Sequence, residues 1–374
     1  MSYLSVNERV YIATENEGPS MINLTRRRLI QLASTVSALA FAGRGATANQ
    51  PSSPSHDRSN DMTTLTAGKN PVTFKSFGVD LAGDLYLPEG FDPSKKYKAI
   101  VGASPFPQVK DQIPATYGPE MAARGFIYLG FDYLGMGDSP ALPGEHMKSR
   151  YMFRLIENTW DAVSYLGTLP FVEEIHGLGV CQGGSIIASA AVTDHRIKKI
   201  ALVSGMMAAD AFQWTNLDMA HQQIAASNAA MQEMYETGEP VYVDTFGLDD
   251  EISREDFIAA APFPSMAEAS YDYYGRTGAK GPVAVPNFSN MHIADQGMQS
   301  LFSLAEAYAD KIVQPTLTIY SSTAFTAPCS TQFVEKLTNE HTEMAFDEFG
   351  HVDFYYKPEA VKASTDAVAD FFNA

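Results

Sequence analysis

A cysteine stands inside a glycine-rich turn, in the run Gly179-Val180-Cys181-Gln182-Gly183-Gly184. The apolar residues before the turn predict a strand, and the small residues from Ser185 to Ala191 predict a helix. Small residues two positions on either side of a nucleophile allow the sharp strand-to-helix turn that exposes its side chain. A thiol at a helix N-terminus also lies in a positive partial field, which we expect to lower its pKa. The pattern predicts Cys181 as a nucleophile, with an inert buried cysteine as the alternative.

A nucleophilic thiol needs a base, and His351 is the best placed histidine. It follows a predicted strand at residues 343–346 and precedes a predicted helix from about Glu359 to Phe372. In chains that carry a strand-to-helix nucleophile turn, the histidine comes later in the sequence, on a loop after the last strand. His351 is therefore the predicted general base. A hydrogen-bonded structural histidine is the alternative.

The acid that orients such a histidine usually follows the strand before the last one. We predict that strand at residues 315–320, yet the loop at 321–330 contains no Asp or Glu. Asp210, on the loop after a predicted strand at 200–204, is the candidate acid, and Asp353 is the alternative. Because a thiol is acidic enough to be activated by a histidine alone, we expect a Cys–His dyad with Asp210 as a third partner.

Two backbone N–H groups are predicted to form an oxyanion hole. One belongs to Gln182, directly after the nucleophile, and the other to the loop after the third strand. In that loop Phe106 stands between Pro105 and Pro107, which have no N–H, so the Phe106 amide is the candidate donor. An ordinary rigid loop is the alternative interpretation of this segment.

Taken together, these segments resemble the α/β-hydrolases, in particular the dienelactone-hydrolase-like branch and the group similar to peptidase-S15-type hydrolases. The matching segments are Leu85-Tyr86-Leu87-Pro88, Val109-Lys110-Asp111-Gln112, Phe131-Asp132-Tyr133-Leu134-Gly135-Met136-Gly137-Asp138-Ser139, Gly179-Val180-Cys181-Gln182-Gly183-Gly184 and Gly350-His351-Val352-Asp353. The resemblance implies a Cys or Ser nucleophile, a C-terminal histidine and hydrolysis of an ester, lactone or similar acyl bond. The chain departs from this resemblance in one loop. Relatives carry Asp or Glu after the penultimate strand, and this chain does not.

Predicted strands and helices alternate along the body of the chain. Strand-like runs lie at 97–102, 126–131, 174–180 and 199–204, and helical runs lie at 117–124, 153–169 and 185–193. Such alternation is typical of an α/β protein with a mostly parallel central sheet flanked by helices. We therefore predict the α/β-hydrolase fold, with an inserted lid, for residues 71–374.

The connection between the predicted strands at 199–204 and 315–320 is far longer than an ordinary crossover. We predict an inserted lid at about 205–312. Its aromatic residues and methionines indicate an apolar acyl-binding pocket, with simple packing of the lid onto the domain as the alternative. These residues are Trp214, Tyr235, Tyr242, Phe257, Phe263, Tyr271, Tyr273, Tyr274, Met206, Met207, Met219, Met231 and Met234.

The region at residues 1–48 has the parts of a cleavable export signal. Arg26-Arg27-Arg28 precedes a moderately apolar run from Leu29 to Ala42, and Ala46-Thr47-Ala48 supplies a cleavage site. The paired arginines predict a twin-arginine signal, recognition by that export machinery, and a periplasmic or secreted protein. The apolar run is too short to span a membrane, so no stable membrane anchor is expected. A basic patch before a short amphipathic helix is the alternative.

Met21 is the suspected start of the protein, and residues 49–70 are a predicted flexible linker.

The composition of the chain limits the classes of partner and cofactor that it is expected to bind. A formal net charge of −18 disfavours nucleic acid, which would prefer a basic surface. The sequence has no glycine-rich phosphate loop, no histidine pair on one helix face and no Cys-x-x-Cys motif, so we expect neither a metal nor another cofactor. With only Cys181 and Cys329, a disulfide framework is not expected. Cys329 is either an inert neighbour of the nucleophile or a resolving thiol.

Two functions remain open. In the first, Cys181 and His351 hydrolyse a small-molecule ester or lactone, and the amides of Gln182 and Phe106 hold the oxyanion. In the second, the chain is a non-catalytic binding protein whose acid position has been lost. Ser185 as an alternative nucleophile is a weaker hypothesis, because it lies past the turn and would point into the helix.

Overall fold

A computed structural model of the chain describes residues 65–208, 217–245, 253–260, 264–277, 284–294, 305–324 and 326–374. All of these residues fall within the unit formed by residues 58–374. The predicted signal region at 1–48 and the candidate acid Asp210 lie outside the described residues.

The strands build one large sheet and one small one. Their bounds are β1 (Gly68–Ser76), β2 (Val79–Leu87), β3 (Tyr97–Ala103), β4 (Ile127–Phe131), β5 (Val172–Val180), β6 (Ile197–Val203), β7 (Tyr242–Asp244), β8 (Met291–Ile293), β9 (Thr316–Ser321) and β10 (His341–Phe346). Within the described residues, eight strands form the central sheet, in the order β1-β2-β4-β3-β5-β6-β9-β10, and β7 pairs with β8. β2 is antiparallel to both its neighbours, whereas the pairs from β4 to β10 are parallel.

Helices cover both faces of the central sheet. Their bounds are α1 (Ile113–Ala123), α2 (Met152–Thr168), α3 (Gln182–Thr193), α4 (Leu217–Thr237), α5 (Arg254–Ala260), α6 (Pro264–Thr277), α7 (Ala327–Lys336), α8 (Asp353–Tyr356) and α9 (Pro358–Asn373), with a 3-10 helix at Ala305–Lys311. Apolar residues of α2 and α3 join one buried cluster, and those of α1 and α9 join another. The predicted mostly parallel sheet flanked by helices is confirmed. In the described ranges no helix has the length and apolar character needed to cross a bilayer.

The central strands are apolar along their length because both faces of the sheet are covered. Residues 99–103 of β3 and all of β4 are buried. Ala103 of β3 is paired with Gly179 of β5, which is paired in turn with Leu202 of β6. The carboxyl ends of β3, β5, β6 and β9 therefore share one edge, which is where ligands bind in open α/β sheets.

The inserted segment predicted at about 205–312 lies between β6 and β9. It contains α4, α5, α6 and the β7–β8 pair. It contacts the loop before α2, where the Tyr242 hydroxyl donates to the Met147 carbonyl at 3.2 Å and the Ile293 N–H donates to the Lys148 carbonyl at 3.2 Å.

The apolar side chains of the insertion do not all face inward. Tyr273 and Tyr274 are buried, but Met231 and Tyr235 of α4 are 44% and 86% exposed. The prediction that Met231 and Tyr235 contribute to an apolar pocket is therefore wrong, because both lie on the solvent-facing side of α4. Trp214 and Phe263, from the same predicted set, lie outside the described residues.

The first strand begins inside the predicted linker. β1 starts at Gly68, although residues 49–70 were expected to be flexible. The buried Asn70 side chain donates to the carbonyls of Thr66 and Gly68 at 2.7 and 2.9 Å and accepts from the Thr66 N–H at 3.0 Å. These bonds tie the end of the predicted linker to the sheet.

One buried histidine of the sheet plays no part in the predicted site. His176 lies on β5, and its ring stacks on Phe372 of α9 with 4.4 Å between centroids. Burial, with a smaller contribution from Lys98 and Lys199, lowers the pKa of His176 to about 3. The fold therefore holds this imidazole neutral, whereas an unfolded histidine titrates at a pKa of about 6.5.

We expect His176→Leu to reduce the acid sensitivity of the fold. Since the folded-state pKa is depressed, the stability contributed by neutral His176 is complete above pH ~6.5 and is lost as the pH falls toward 3. The free energy of unfolding is measured in urea at pH ~7.5 and ~4.5. On going to the lower pH, the original chain should lose about 2 kcal/mol more of this free energy than the variant. The matched control is His341→Leu at an exposed position. An equal pH dependence in all three proteins would contradict this account.

Candidate active site

The chain turns sharply at Cys181, between β5 and α3. Cys181 has φ 54° and ψ −120°, a conformation that residues with a side chain rarely adopt. Backbone hydrogen bonds hold it there, since the Cys181 N–H donates to the Val203 carbonyl at 3.0 Å and its carbonyl accepts from the N–H groups of Gly184 at 2.9 Å and Met206 at 3.0 Å. Such a strained turn is typical of a nucleophile elbow.

The glycines around the turn are required by close packing. A Cβ on Gly179 would overlap the backbone of Gly183, and a Cβ on Gly183 would overlap the carbonyl of Ala103. Any larger residue at either position would force the backbone apart, so the elbow forms only with glycine at both.

The two predicted oxyanion donors meet at the nucleophile. The backbone N–H groups of Gln182 and Phe106 both act on the Cys181 sulfur, and each lowers the pKa of the thiol. Tyr274 of the insertion holds the loop that contains Phe106. Its hydroxyl donates to the Phe106 carbonyl at 3.3 Å and accepts from the Gln108 side chain at 3.1 Å. The two N–H groups therefore converge where an oxyanion next to the sulfur would lie.

His351 lies on the loop between β10 and α8, and hydroxyl groups surround its ring. Its Nδ1 lies 2.9 Å from Ser204 Oγ and 2.7 Å from Thr326 Oγ1, and its Nε2 lies 2.9 Å from the Tyr355 hydroxyl. Ser204 Oγ also donates to the His351 carbonyl at 3.3 Å, so it is available to accept from Nδ1–H. We assign the Nδ1–H tautomer, which leaves Nε2 as the acceptor a general base needs.

Among the described residues, two hydroxyls lie beside His351 Nδ1, where the predicted third member would stand. Thr326 lies on the loop after β9, where the sequence offers no acid, and Ser204 follows β6. Thr326 stands at the N-terminus of α7 without capping it, so its hydroxyl is available to His351. Neither residue was predicted, because the expected partner of a catalytic histidine is a carboxylate. The alternative acid Asp353 accepts from the Gly350 N–H at 2.9 Å and pairs with Lys357 at 2.9 Å.

The pKa of the nucleophile differs from the sequence expectation. Burial raises the pKa of the Cys181 thiol above its ordinary value, and this outweighs the lowering by hydrogen bonds from Tyr355, Gln182 and Phe106 and by the charge of Arg150. The expected net lowering at the helix N-terminus is therefore wrong for this closed arrangement, in which Cys181 is only 7% exposed. Desolvation disfavours the thiolate more than the local dipoles favour it.

A buried arginine adds positive charge to the site. Arg150 donates to the Gln108 carbonyl and to Gln182 Oε1, each at 3.2 Å, and its guanidinium lies over the rings of Phe106 and Tyr133. Burial lowers the pKa of Arg150 to about 10, so the group is still a cation at neutral pH. Its charge favours the anionic states that form during thiol chemistry. No local motif around Arg150 pointed to this role.

The other candidate nucleophiles are enclosed. Ser185 is fully buried on α3, and its hydroxyl has no hydrogen-bond partner among the described residues. Cys329, on α7, is also fully buried, and burial raises its pKa to about 12. Such a thiol is a poor nucleophile, which favours the inert interpretation of Cys329. Both cysteines are free thiols.

Within the described ranges, no group of three or more His, Cys, Asp and Glu side chains is arranged to hold a metal ion.

In sequence, the chain is similar to uncharacterized bacterial proteins. No family model matches the chain. The uncharacterized protein YcjY of Escherichia coli K12 is 26% identical over 323 residues, which are 84% of this chain and 98% of YcjY. The uncharacterized protein PA2218 of Pseudomonas aeruginosa is 36% identical over 135 residues, or 34% of each chain.

Solved structures extend the similarity over most of the described chain. The crystal structure of PA2218 has a TM-score of 0.66 at 23% identity and covers 82% of this chain and 92% of its own. The α/β-hydrolase GrgF from Penicillium has a TM-score of 0.63 at 19% identity and covers 82% of this chain and 98% of its own. Together with the strand order, these similarities establish the α/β-hydrolase fold for this chain.

We expect Thr326→Val to weaken catalysis by His351 without weakening the fold. The substitution keeps the shape of the side chain and removes one hydroxyl from Nδ1, so kcat/KM should fall about 3- to 10-fold, the effect of one hydrogen bond of about 1 kcal/mol. Adding Ser204→Ala should lower it further. Thr331→Val, on the same helix, is the matched control and should leave kcat/KM unchanged. If the Thr326 and Thr331 variants had equal kcat/KM, Thr326 would not orient the histidine.

Proposed function

We propose that this chain is a hydrolase that cleaves an ester, lactone or related acyl bond through Cys181 and His351. The observation that carries the proposal is the strained turn at Cys181, where the backbone N–H groups of Gln182 and Phe106 both lower the pKa of the thiol. The α/β-hydrolase fold supports it, because that fold presents its nucleophile at the same turn. The likeness in sequence to the dienelactone-hydrolase-like branch supports an ester or lactone as the substrate.

The reaction follows from the groups at the sulfur. The Cys181 thiol loses its proton to His351 as the sulfur attacks the carbonyl carbon, and the carbonyl oxygen takes the negative charge toward the two amides. His351 then gives the proton to the leaving alkoxide as the C–O bond breaks, which leaves a thioester on Cys181. Water, deprotonated by His351, hydrolyses the thioester and restores the thiol.

The surroundings of the sulfur favour an apolar acyl group. Tyr273, Tyr274 and Phe288 of the insertion share a buried cluster with Cys181 and Tyr355. Since Cys181 is almost fully covered in this arrangement, a substrate reaches it only when the insertion moves away from the Phe106 loop. We propose that the insertion acts as a lid and that its aromatic residues contact the acyl group.

The second candidate is a binding protein of the same fold without catalysis. It is favoured by the two hydroxyls that occupy the Nδ1 side of His351 and by the raised pKa of the Cys181 thiol, which lowers the thiolate fraction. The two candidates differ in one outcome, the formation of an acyl-enzyme at Cys181.

We expect the full chain to hydrolyse p-nitrophenyl esters or simple lactones and Cys181→Ala to reduce the rate to that of buffer. Cys329→Ala is the matched control, because it removes the other thiol and should keep full activity. Intact-mass measurement during turnover should show one acyl group added to the Cys329→Ala protein and none to the Cys181→Ala protein. Equal rates for the two variants on every substrate, with no adduct, would support the binding protein instead.

We expect the acid limb of kcat/KM to lie near pH 4. Burial lowers the pKa of His351 to about 4, so the imidazole is an available base at every pH above that value. The pKa of Cys181 is raised, so the neutral thiol and imidazole persist together up to alkaline pH and kcat/KM should be flat between about pH 5 and 8. Initial rates measured after brief exposure to each pH test this. An acid limb near pH 6.5 would mean that His351 is solvated in the free enzyme.

A further inference from the structure

The Tyr355 hydroxyl contacts both members of the proposed catalytic pair. It lies 2.9 Å from His351 Nε2, Tyr355 shares a buried cluster with Cys181, and its interaction with the sulfur lowers the pKa of the Cys181 thiol. Nε2 is the ring nitrogen that must receive the thiol proton, as the other side of the ring faces Ser204 and Thr326. The phenol therefore connects the atom that releases the proton with the atom that receives it.

Packing fixes the phenol in this place. Tyr355 is on α8, four residues after His351, a spacing that brings two side chains to the same side of a helical turn. Its ring makes an edge contact with His351 at 5.7 Å between centroids and another with Tyr273 of the insertion at 5.5 Å. The side chain is 2% exposed, so bulk water does not compete for its hydroxyl.

The Nδ1–H tautomer that we assign to His351 gives these hydrogen bonds one direction. With Nδ1–H facing the Ser204 hydroxyl, Nε2 accepts, so the Tyr355 O–H donates to Nε2. The Tyr355 oxygen retains lone pairs that accept from the Cys181 S–H. The chain of donors runs from the thiol through the phenol to the imidazole.

We propose that Tyr355 is a catalytic proton relay between Cys181 and His351, an inference that rests on the proposed function of this site. In the relay the Tyr355 O–H proton moves to His351 Nε2 as the Cys181 S–H proton moves to the Tyr355 oxygen. One S–H bond and one O–H bond break, and one O–H bond and one N–H bond form. The products are a thiolate, an imidazolium and an unchanged phenol.

The same contacts stabilise the product of the transfer. Once Nε2 carries the proton, it donates to the Tyr355 oxygen, and the phenol O–H turns to donate to the thiolate. Burial raises the pKa of Tyr355 well above its ordinary range, so a free tyrosinate is disfavoured and the two protons move together. Among the described residues, the titratable groups that influence Cys181 include Tyr355, Arg150, Tyr274 and Cys329.

The relay is tested by the reactivity of Cys181 itself, in the full chain carrying Cys329→Ala so that only one thiol reacts. The rate of alkylation by iodoacetamide is measured against pH for this protein and for its Tyr355→Phe variant. Tyr355→Phe should slow alkylation at neutral pH about 10²-fold and move the thiol titration to higher pH, since the phenol no longer stabilises the thiolate. Tyr356→Phe is the matched control, with the same loss of one hydroxyl from the next residue, and should change neither.

Hydrolysis provides the second measurement. With an ester substrate, Tyr355→Phe should lower kcat about 10²-fold and leave KM nearly unchanged. The dependence of kcat on the fraction of D₂O should be curved for the original chain, because two protons move in one step. A linear dependence, or a Tyr355→Phe variant that alkylates and hydrolyses as fast as Tyr356→Phe, would overturn the relay.

The two proposals fail differently. If no substrate is hydrolysed but alkylation of Cys181 still depends on Tyr355, the proposed function is wrong and the coupling of the two side chains is retained. If hydrolysis requires Cys181 but is unaffected by Tyr355→Phe, the function is retained and the relay is wrong. Faster alkylation in Tyr355→Phe would show that the phenol shields the thiol.

Discussion

The site depends on a single strained residue held by its neighbours. Cys181 adopts a positive φ that costs about 1–3 kcal/mol for a residue with a side chain. Its N–H bond to Val203 and the absence of side chains at Gly179 and Gly183 keep the turn in place. The same turn starts α3, so the Gln182 amide points at the sulfur without any further adjustment. The position of the Gln182 amide follows from the turn at Cys181, which the parallel pairing of β3, β5 and β6 supports.

Burial, rather than charge pairing, sets the protonation states around the sulfur. Desolvation raises the pKa of the Cys181 thiol and lowers that of His351, so both groups are neutral in the resting site. A thiolate–imidazolium pair would need solvent or compensating charges, and the described groups beside Nδ1, the hydroxyls of Ser204 and Thr326, carry no charge. Charge separation is therefore expected to accompany substrate binding, when the amides of the oxyanion hole gain an anion to stabilise.

Local patterns in the sequence predict the elbow, the Phe106 loop and the position of His351, but they do not predict the hydroxyls beside the His351 ring. The elbow, the Pro-flanked Phe106 and the late His351 each stand in a segment whose neighbours define a turn or a loop, and the structure places Phe106 against the Cys181 sulfur. The hydroxyls beside the ring have no such pattern, because Ser204 and Thr326 meet only through the pairing of β6 with β9. The direction of the pKa shift of the Cys181 thiol was predicted wrongly for a related reason. Burial by the insertion is a tertiary effect, and it outweighs the local helix dipole.

The hydroxyls beside His351 Nδ1 are consistent with a buried, uncharged site. An aspartate beside Nδ1 would itself have to be desolvated, and an unpaired buried carboxylate is strongly unfavourable. It would also raise the pKa of His351 and favour an imidazolium before substrate arrives. In the tautomer that we assign, Ser204 accepts the Nδ1 proton, and Thr326 lies beside the same nitrogen, so neither partner adds a charge. The absence of an acid from the loop after β9 is then a property of how this site keeps its resting pair neutral, and it does not by itself indicate a lost activity.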